Sequence, residues 1–227
     1  MHFTWTHLIS FINPEFSHII YGLLFCGFLV VIGIFARNAL KRDPHPAPSG
    51  RFGIKGFFEV FVEQIQALSD SVVGPEGREA VPFFCFIFLF IWGQNLLGLF
   101  PGFFPATENV NTTFALGVFS FLAYNYWGLR KQGFSYLKQF LGHVMFMAPL
   151  FIFIELLSHI FRPLSLGLRL FGNMKGDHVV IGIFLDLVPV FVPIIFYFLG
   201  LFVCTLQAFV FTILSMVYVS LAISDHH

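Results

Sequence analysis

The chain has 227 residues, of which 57% are hydrophobic and only 11% are charged, and its formal net charge is zero. A soluble domain carries roughly 25% charged residues, so this composition excludes a soluble globular protein and predicts a polytopic membrane protein. The balanced charge gives no indication of a nucleic-acid partner.

The first apolar run, residues 17–36, is long enough for one membrane-spanning helix, which needs about 20 mostly apolar residues. Basic residues follow this run, at Arg37, Lys41 and Arg42. Because cytoplasmic loops carry an excess of Lys and Arg, we predict an outside N-terminus and a cytoplasmic first loop.

Residues 57–73 place Phe, Ile and Leu at helical spacing with acidic and amide side chains between them. This pattern predicts an amphipathic helix that lies along the membrane surface. Two further spans are predicted at 82–100 and 114–129. The loop between them carries Glu108 and no Lys or Arg, which indicates the outside.

The remaining apolar region has its clearest break at Asp186-Leu187-Val188-Pro189. We therefore predict a C-terminal hairpin of two helices, roughly 143–184 and 189–222. At 1.5 Å per residue each is about 50–60 Å long, which exceeds a hydrocarbon core of ~30 Å, so the hairpin must tilt or bend. The predicted fold is all-α, a single membrane domain over residues 1–227 with about five transmembrane helices and one interfacial helix. Its N-terminal helices occupy 1–142 and the hairpin occupies 143–227.

Polar side chains follow one face of the first hairpin helix. With 100° of rotation per residue, Glu155, Arg162, Ser165 and Asn173 all lie within about 40° of Arg169. Arginine does not lose its proton, and placing it at membrane depth costs at least ~2.5–3.5 kcal/mol. Glu155 and Arg162 can form an ion pair that joins helices, whereas no acid in the chain is obviously placed to neutralise Arg169. A carboxylate from another subunit is therefore its expected partner.

Several segments resemble the a subunit of F-type ATP synthases. The segment SLGLRLFGNM, residues 165–174, is similar to the signature of that family. The segments LQAFVF at 206–211, NLLGLFP at 95–101 and NTT at 111–113, together with Tyr218, match it in order and spacing. The resemblance covers nearly the whole chain.

This resemblance implies a stator subunit with two offset proton half-channels that faces a rotating ring of c subunits. Each c subunit carries a mid-membrane carboxylate, and Arg169 would separate the half-channels and act as the counter-charge of that carboxylate. Gln207 would face Arg169 from the last helix and accept a hydrogen bond from its guanidinium. Asn173 lies one turn from Arg169, and Glu155 would line the cytoplasmic half-channel.

His178 follows Arg169 by nine residues, which is half a turn around the helix and ~13 Å towards the outside. The external half-channel is its expected place, because a histidine can relay protons near neutral pH. Members of the family often carry a partner for this position seven residues before the glutamine, where this chain has Gly200. Asp186, Asp177 or water would then complete the path.

Besides these residues, the same site has one residue without an assigned role and five secondary candidates. Lys175, near Asn173, has no role that the resemblance supplies. The secondary candidates are Asp177, Ser165, Arg162, Asp186 and Tyr218.

The resemblance also implies partners and a location. The expected contacts are c-ring subunits, b-type peripheral-stalk subunits and membrane lipid, with the F1 sector coupled indirectly and no nucleic acid. The expected location is the bacterial plasma (inner) membrane, with the N-terminus outside and the C-terminus cytoplasmic. The sequence has no GxxxxGK(S/T) loop, so ATP chemistry belongs to partner subunits and the chain is not an enzyme by itself. No cofactor and no metal are expected, and H⁺ is the expected coupled ion.

Two other interpretations remain open from the residues alone. One is a stand-alone ion-coupled secondary transporter that uses Glu155, Arg162 and Arg169. The other is a scaffold that transports nothing. A self-sufficient transporter would purify alone and move solute in liposomes, whereas the a subunit would purify with a ring of small hairpin proteins and a nucleotide hydrolase.

Overall fold

The computed structural model describes residues 17–42, 54–100, 103, 105–133, 148–187 and 191–223. These ranges contain α-helices, two short 3₁₀ segments and no strand, which confirms the predicted all-α fold. The 3₁₀ segments are Pro75–Ala80 and Ala106–Glu108. The α-helices are α1 (Ser17–Arg42), α2 (Ile54–Val72), α3 (Val81–Gly98), α4 (Val110–Gln132), α5 (Ala148–Leu187) and α6 (Phe191–Ile223).

Three of these helices, α1, α3 and α6, contain segments that are long and apolar enough to cross a membrane. The helices α4 and α5 have 23 and 40 residues, which is also enough to span a hydrocarbon core. They carry more polar side chains than the other three, and those of α5 include the predicted polar face. The polytopic membrane prediction is confirmed.

The helix α4 is longer at both ends than the predicted span of 114–129. It begins at Val110 because the side chain of Asn109 accepts a hydrogen bond from the backbone N–H of Asn111 at 2.9 Å and caps the first turn. It ends at Gln132 because Gly133 adopts a positive φ of 56°, which continues the chain out of the helix.

The predicted hairpin is present, and the predicted break at 186–189 overlaps the interval between the two described helices. The first hairpin helix, α5, ends at Leu187, and α6 begins at Phe191. The predicted start of the first hairpin helix, at 143, lies outside the described residues. At 1.5 Å per residue, the 40 residues of α5 extend about 60 Å.

Close backbone contacts hold α5 against α4. A β-carbon on Gly117 of α4 would lie 2.5 Å from the carbonyl oxygen of Pro163, and one on Gly167 of α5 would lie 3.0 Å from the carbonyl oxygen of Thr113. Small residues at such crossings let helices in membranes approach closely. Apolar side chains of α3, α4, α5 and α6 fill the core beside this crossing, including Ile87, Ile91, Leu116, Leu166, Leu170 and Phe211.

Candidate functional site

The long helix α5 has one face in the protein core and one face on the surface. Leu166, Leu170 and Met174 recur every four residues and are almost fully buried. The opposite face exposes Arg169, and a β-carbon at Gly172 would meet no atom within 4 Å. Arg169 therefore lies on a surface that the rest of the described chain leaves open.

The guanidinium of Arg169 has no hydrogen bond or ion pair with any residue in the described ranges. Ser165, one turn earlier on the same face, donates its hydroxyl hydrogen to the carbonyl of Arg162 at 2.9 Å, within its own helix. Neither the serine nor any described acid neutralises Arg169. The guanidinium is therefore available to a group from outside the described chain.

The predicted hydrogen bond between Gln207 and Arg169 is not present among the described residues and stays a prediction for the assembled complex. The carbonyl oxygen of Gln207 accepts from Nδ2 of Asn173 at 2.7 Å instead. Gln207 is 5% exposed, and its Nε2 is buried without a hydrogen-bond partner among the described residues. Asn173, one helical turn from Arg169, therefore joins α5 to α6 at Gln207, whose carbonyl oxygen keeps a second lone pair for another donor.

Arg162 lies nearer than Arg169 to the end of the bundle where α4 ends. Its guanidinium carbon is 5.4 Å from the centre of the Tyr218 ring on α6, a cation–π arrangement that joins the two hairpin helices. The predicted ion pair between Arg162 and Glu155 stays a prediction, because the side chain of Glu155 lies outside the described part of the structure. The side chain of Asp186 lies outside it as well.

A second polar group, here called the outer cluster, consists of Glu108, Lys175 and His178. Oε1 of Glu108 is 2.6 Å from Nζ of Lys175, and Oε2 is 3.0 Å from Nδ1 of His178. The other ring nitrogen of His178, Nε2, lies 2.5 Å from the carbonyl oxygen of Gly98. The outer cluster thus joins α5 to the end of α3 and to the connection between α3 and α4.

Buried amides on α3 fix the short 3₁₀ segment that carries Glu108. The backbone N–H of Ala106 donates to the carbonyl oxygen of Gln94 at 2.9 Å, and the hydroxyl of Thr107 donates to the carbonyl oxygen of Asn95 at 2.8 Å. Gln94 and Asn95 are at most 1% exposed. Glu108 is therefore presented to α5 by a rigid support, and its side chain is only 9% exposed.

The charges of the outer cluster set the protonation of Glu108. Partial burial alone would raise the pKa of this carboxyl group. The contact with His178, the hydrogen bond from Lys175 and the positive charges of both outweigh that effect and lower the pKa below its ordinary value. The carboxylate is therefore ionised at neutral pH.

The outer cluster places beside His178 a carboxylate that was not among the predicted candidates. Asp177 is half-buried beside His178 but makes no hydrogen bond to it in the described structure. Glu108 contacts both His178 and Lys175, whereas the space beside Gly200 is occupied by Leu99, whose Cδ2 lies 2.9 Å from where a β-carbon on Gly200 would be. Sequence reasoning missed this contact because 67 residues separate Glu108 from Lys175. The only signal was a lone acid in an otherwise uncharged loop.

The fold and the site together define a polytopic membrane protein with an exposed arginine midway along a long polar-faced helix. Residues 17–220 match the ATP synthase A chain family. The ATP synthase subunit a of Bdellovibrio bacteriovorus is 49% identical over the full length of both chains. Those of Trichlorobacter lovleyi and Geobacter sulfurreducens are 38% and 40% identical, over 97% and 88% of this chain and 93% and 84% of their own lengths.

The chain therefore belongs to the ATP synthase A chain family. It is a membrane component of the proton-translocating Fo sector and is not an enzyme on its own. A stand-alone transporter is not favoured, because the matched relatives cover the whole chain and are subunits of a larger complex.

Proposed function

We propose that Arg169 separates two proton half-channels and serves as the counter-charge for a carboxylate on a ring of c subunits. The observation that carries this proposal is an exposed arginine, midway along a 40-residue helix, with no partner among the described residues. A passing carboxylate would receive charge-assisted hydrogen bonds from the guanidinium. The fixed cation would also lower the pKa of that carboxylate and favour release of its proton.

The surface around Arg169 supports a ring of helices as the partner. Gly172 and Gly176 lie on the same side of α5, and β-carbons at either position would meet no atom within 4 Å. Small residues allow a second helix to approach closely within a membrane. The neighbouring exposed side of α6 is apolar and includes Phe198, Phe202, Leu206 and Phe209. This combination suits a moving partner that must slide past without forming fixed polar contacts.

Two polar routes to Arg169 follow from the proposal. Asn173 and Gln207 lie between Arg169 and the end of the hairpin that carries His178, so we assign them to the outer half-channel. Glu155 and Arg162 lie towards the other end of α5, and we assign Glu155 to the cytoplasmic half-channel. His178 lies half a turn around α5 from Arg169 and so faces away from the proposed ring surface, as a residue that lines a channel would.

The distribution of basic residues supports the proposed orientation. Arg78, Arg130 and Lys131 lie at one end of the bundle, where α6 also ends, because Gln132 donates to the carbonyl of Ile223 at 3.3 Å. Lys175 lies at the opposite end, beside Glu108. By the positive-inside rule, the first end is cytoplasmic. We therefore propose an outside N-terminus in the bacterial inner membrane.

We assign the remaining surface of the N-terminal helices to lipid and to b-type peripheral-stalk subunits. The helix α1 exposes a large apolar face that the described chain does not cover, including Leu23, Leu24, Phe28 and Phe35. Such a face is suited to a membrane helix of a partner or to acyl chains. The F1 sector would be coupled through the ring and the stalk rather than by direct contact.

The substitution Arg169→Lys tests the proposed role of the arginine. Lysine can lose its proton when buried and lacks the planar, bidentate fork, so it should not maintain the barrier. We expect proton-driven ATP synthesis by the complex in reconstituted vesicles to be abolished. The matched control is Arg130→Lys on α4, which keeps a cation beside Glu79 in an exposed ion pair away from the site and should retain synthesis. Substantial synthesis in the Arg169→Lys complex would overturn the assignment.

A further inference from the structure

The proposed function assigns no role to Glu108 and Lys175 of the outer cluster. We propose that Glu108 and His178 form a two-membered proton relay in the outer half-channel, with Lys175 holding the carboxylate in place. In this relay the connection between α3 and α4, rather than α6, supplies the partner of the histidine. The inference rests on the proposed function and deepens it, because it names the groups through which protons pass on that side.

Geometry limits which nitrogen of His178 exchanges the proton. Nε2 lies 2.5 Å from the carbonyl oxygen of Gly98, which can only accept, so this nitrogen keeps its hydrogen. Nδ1 lies 3.0 Å from Oε2 of Glu108, an ion-pair contact that is close enough for transfer but that a small rotation of the carboxylate must first align into a hydrogen bond. The transferable proton is therefore the one on Nδ1. An imidazolium and a carboxylate become a neutral imidazole and a carboxylic acid when it moves, and no further reactant is needed.

The absence of a side chain at Gly98 makes this arrangement possible. A β-carbon at this position would lie 3.2 Å from Nε2 of His178 and would also collide with the side chains of Met174 and Pro105. The histidine ring would then have to move off the carbonyl oxygen. Gly98 thus lets α3 approach α5 closely enough to fix the tautomer of His178.

Lys175 places a positive charge beside the carboxylate of Glu108. Its Nζ is 2.6 Å from Oε1 of Glu108, which leaves Oε2 for the histidine. The lysine side chain is 51% exposed while the glutamate is 9% exposed, so the lysine marks the open side of the cluster. A cation beside the carboxylate makes Glu108 a poor resting place for a proton, so the proton passes on.

A polar row leads from the relay towards Arg169. Asp177, Asn173 and Arg169 are spaced by four residues, so they lie in succession along one side of α5. Asp177 is half-buried next to His178 in the chain. On the facing helix α6, Cys204 is buried and donates its S–H to the carbonyl of Asn95 at 3.6 Å. The described titratable groups around His178 are thus Glu108, Lys175, Asp177 and Cys204.

The test uses the pH dependence of proton-driven ATP synthesis by the assembled complex in liposomes. The pH on the outer side is varied at constant membrane potential. Glu108→Gln removes an anion beside His178, so the midpoint pH of the profile should fall by about one unit, with at least a tenfold loss of rate. Lys175→Gln removes a cation beside Glu108, so the midpoint should rise. Glu108→Asp should restore much of the rate.

The control is Glu79→Gln, which removes an exposed carboxylate that pairs with Arg130 at 2.9 Å at the other end of the bundle. It should leave both rate and midpoint unchanged. Midpoint shifts of opposite sign for Glu108→Gln and Lys175→Gln support the relay, because a purely structural loss would lower the rate without that pattern. If Glu108→Gln does not assemble, the shift of the Lys175→Gln profile decides the question alone.

The parallel Arg169→Lys complex separates failure of the relay from failure of the proposed function. Loss of synthesis in Arg169→Lys, with wild-type midpoints in both cluster variants, would overturn the relay alone. Retained synthesis in Arg169→Lys would overturn the proposed function. Unshifted midpoints in assembled Glu108→Gln and Lys175→Gln complexes contradict the inference whatever their rates.

Discussion

The substitution Gly117→Ala tests the crossing of α4 and α5 that positions the arginine-bearing helix. The added β-carbon would lie 2.5 Å from the carbonyl oxygen of Pro163, whereas ordinary contacts begin at 3.4 Å. The helices would therefore have to separate by about 0.9 Å at this point, or the side chains around them would have to rearrange. Overpacking of this kind costs roughly 1–3 kcal/mol.

Gly33→Ala on α1 is the matched control, because a β-carbon there would meet no atom within 4 Å. Both substitutions gain ~0.5–1 kcal/mol from the higher helix propensity of alanine, so their difference isolates the packing cost. SDS titration of the purified full-length chain in mixed micelles, followed by tryptophan fluorescence, measures the free energy of unfolding. We expect Gly117→Ala to be less stable than Gly33→Ala by about 1–3 kcal/mol. Equal stabilities would refute the close crossing.

Three further predictions concern polar contacts of the described structure. In a double-mutant cycle, Asn173→Leu and Gln207→Leu should show a coupling energy of about 0.6 kcal/mol, and additive effects would exclude their hydrogen bond. Because the pKa of Glu108 is lowered in the folded protein, its ionised carboxylate stabilises the fold. This stabilisation is complete above the ordinary glutamate pKa and is lost as the pH falls through the lower pKa of the folded state. Thermal unfolding of wild type should therefore lose stability on acidification from about pH 5 to about pH 3 more steeply than Glu108→Gln, and parallel curves would contradict this. Tyr218→Leu should reduce the free energy of SDS unfolding by about 0.5–1 kcal/mol relative to Tyr218→Phe, because only the phenylalanine keeps a ring beneath Arg162.

The fold was largely predictable because hydrophobic periodicity and helix breakers are local properties of a sequence. The run at 17–36, the amphipathic pattern at 57–73 and the break at 186–189 each correspond to an element or a boundary of the structure. Helix ends were less predictable. The start of α4 depends on a cap at Asn109, and the extension of α1 to Arg42 places charged residues in helix beyond the apolar run.

The rotation of 100° per residue predicted which residues share a side of α5, but it did not predict which residues of other elements they contact. The position of Arg169 on an open face and of His178 on the other side were both predictable from 100° steps. The hydrogen bond from Asn173 to Gln207 depends on the relative depth of α5 and α6, which no local pattern encodes. The contact of Glu108 with His178 depends on how a connecting segment folds back over α3.

Proton flux through the Arg169→Gln complex tests the central claim most directly, because it separates a barrier from a carrier. Vesicles carrying the assembled complex would be measured with ATP hydrolysis inhibited, so that the rotor cannot turn. If Arg169 blocks direct passage between the half-channels, removal of its charge should increase passive proton flux above the wild-type level while ATP synthesis is lost. A flux that stays at or below the wild-type level under these conditions would contradict the account.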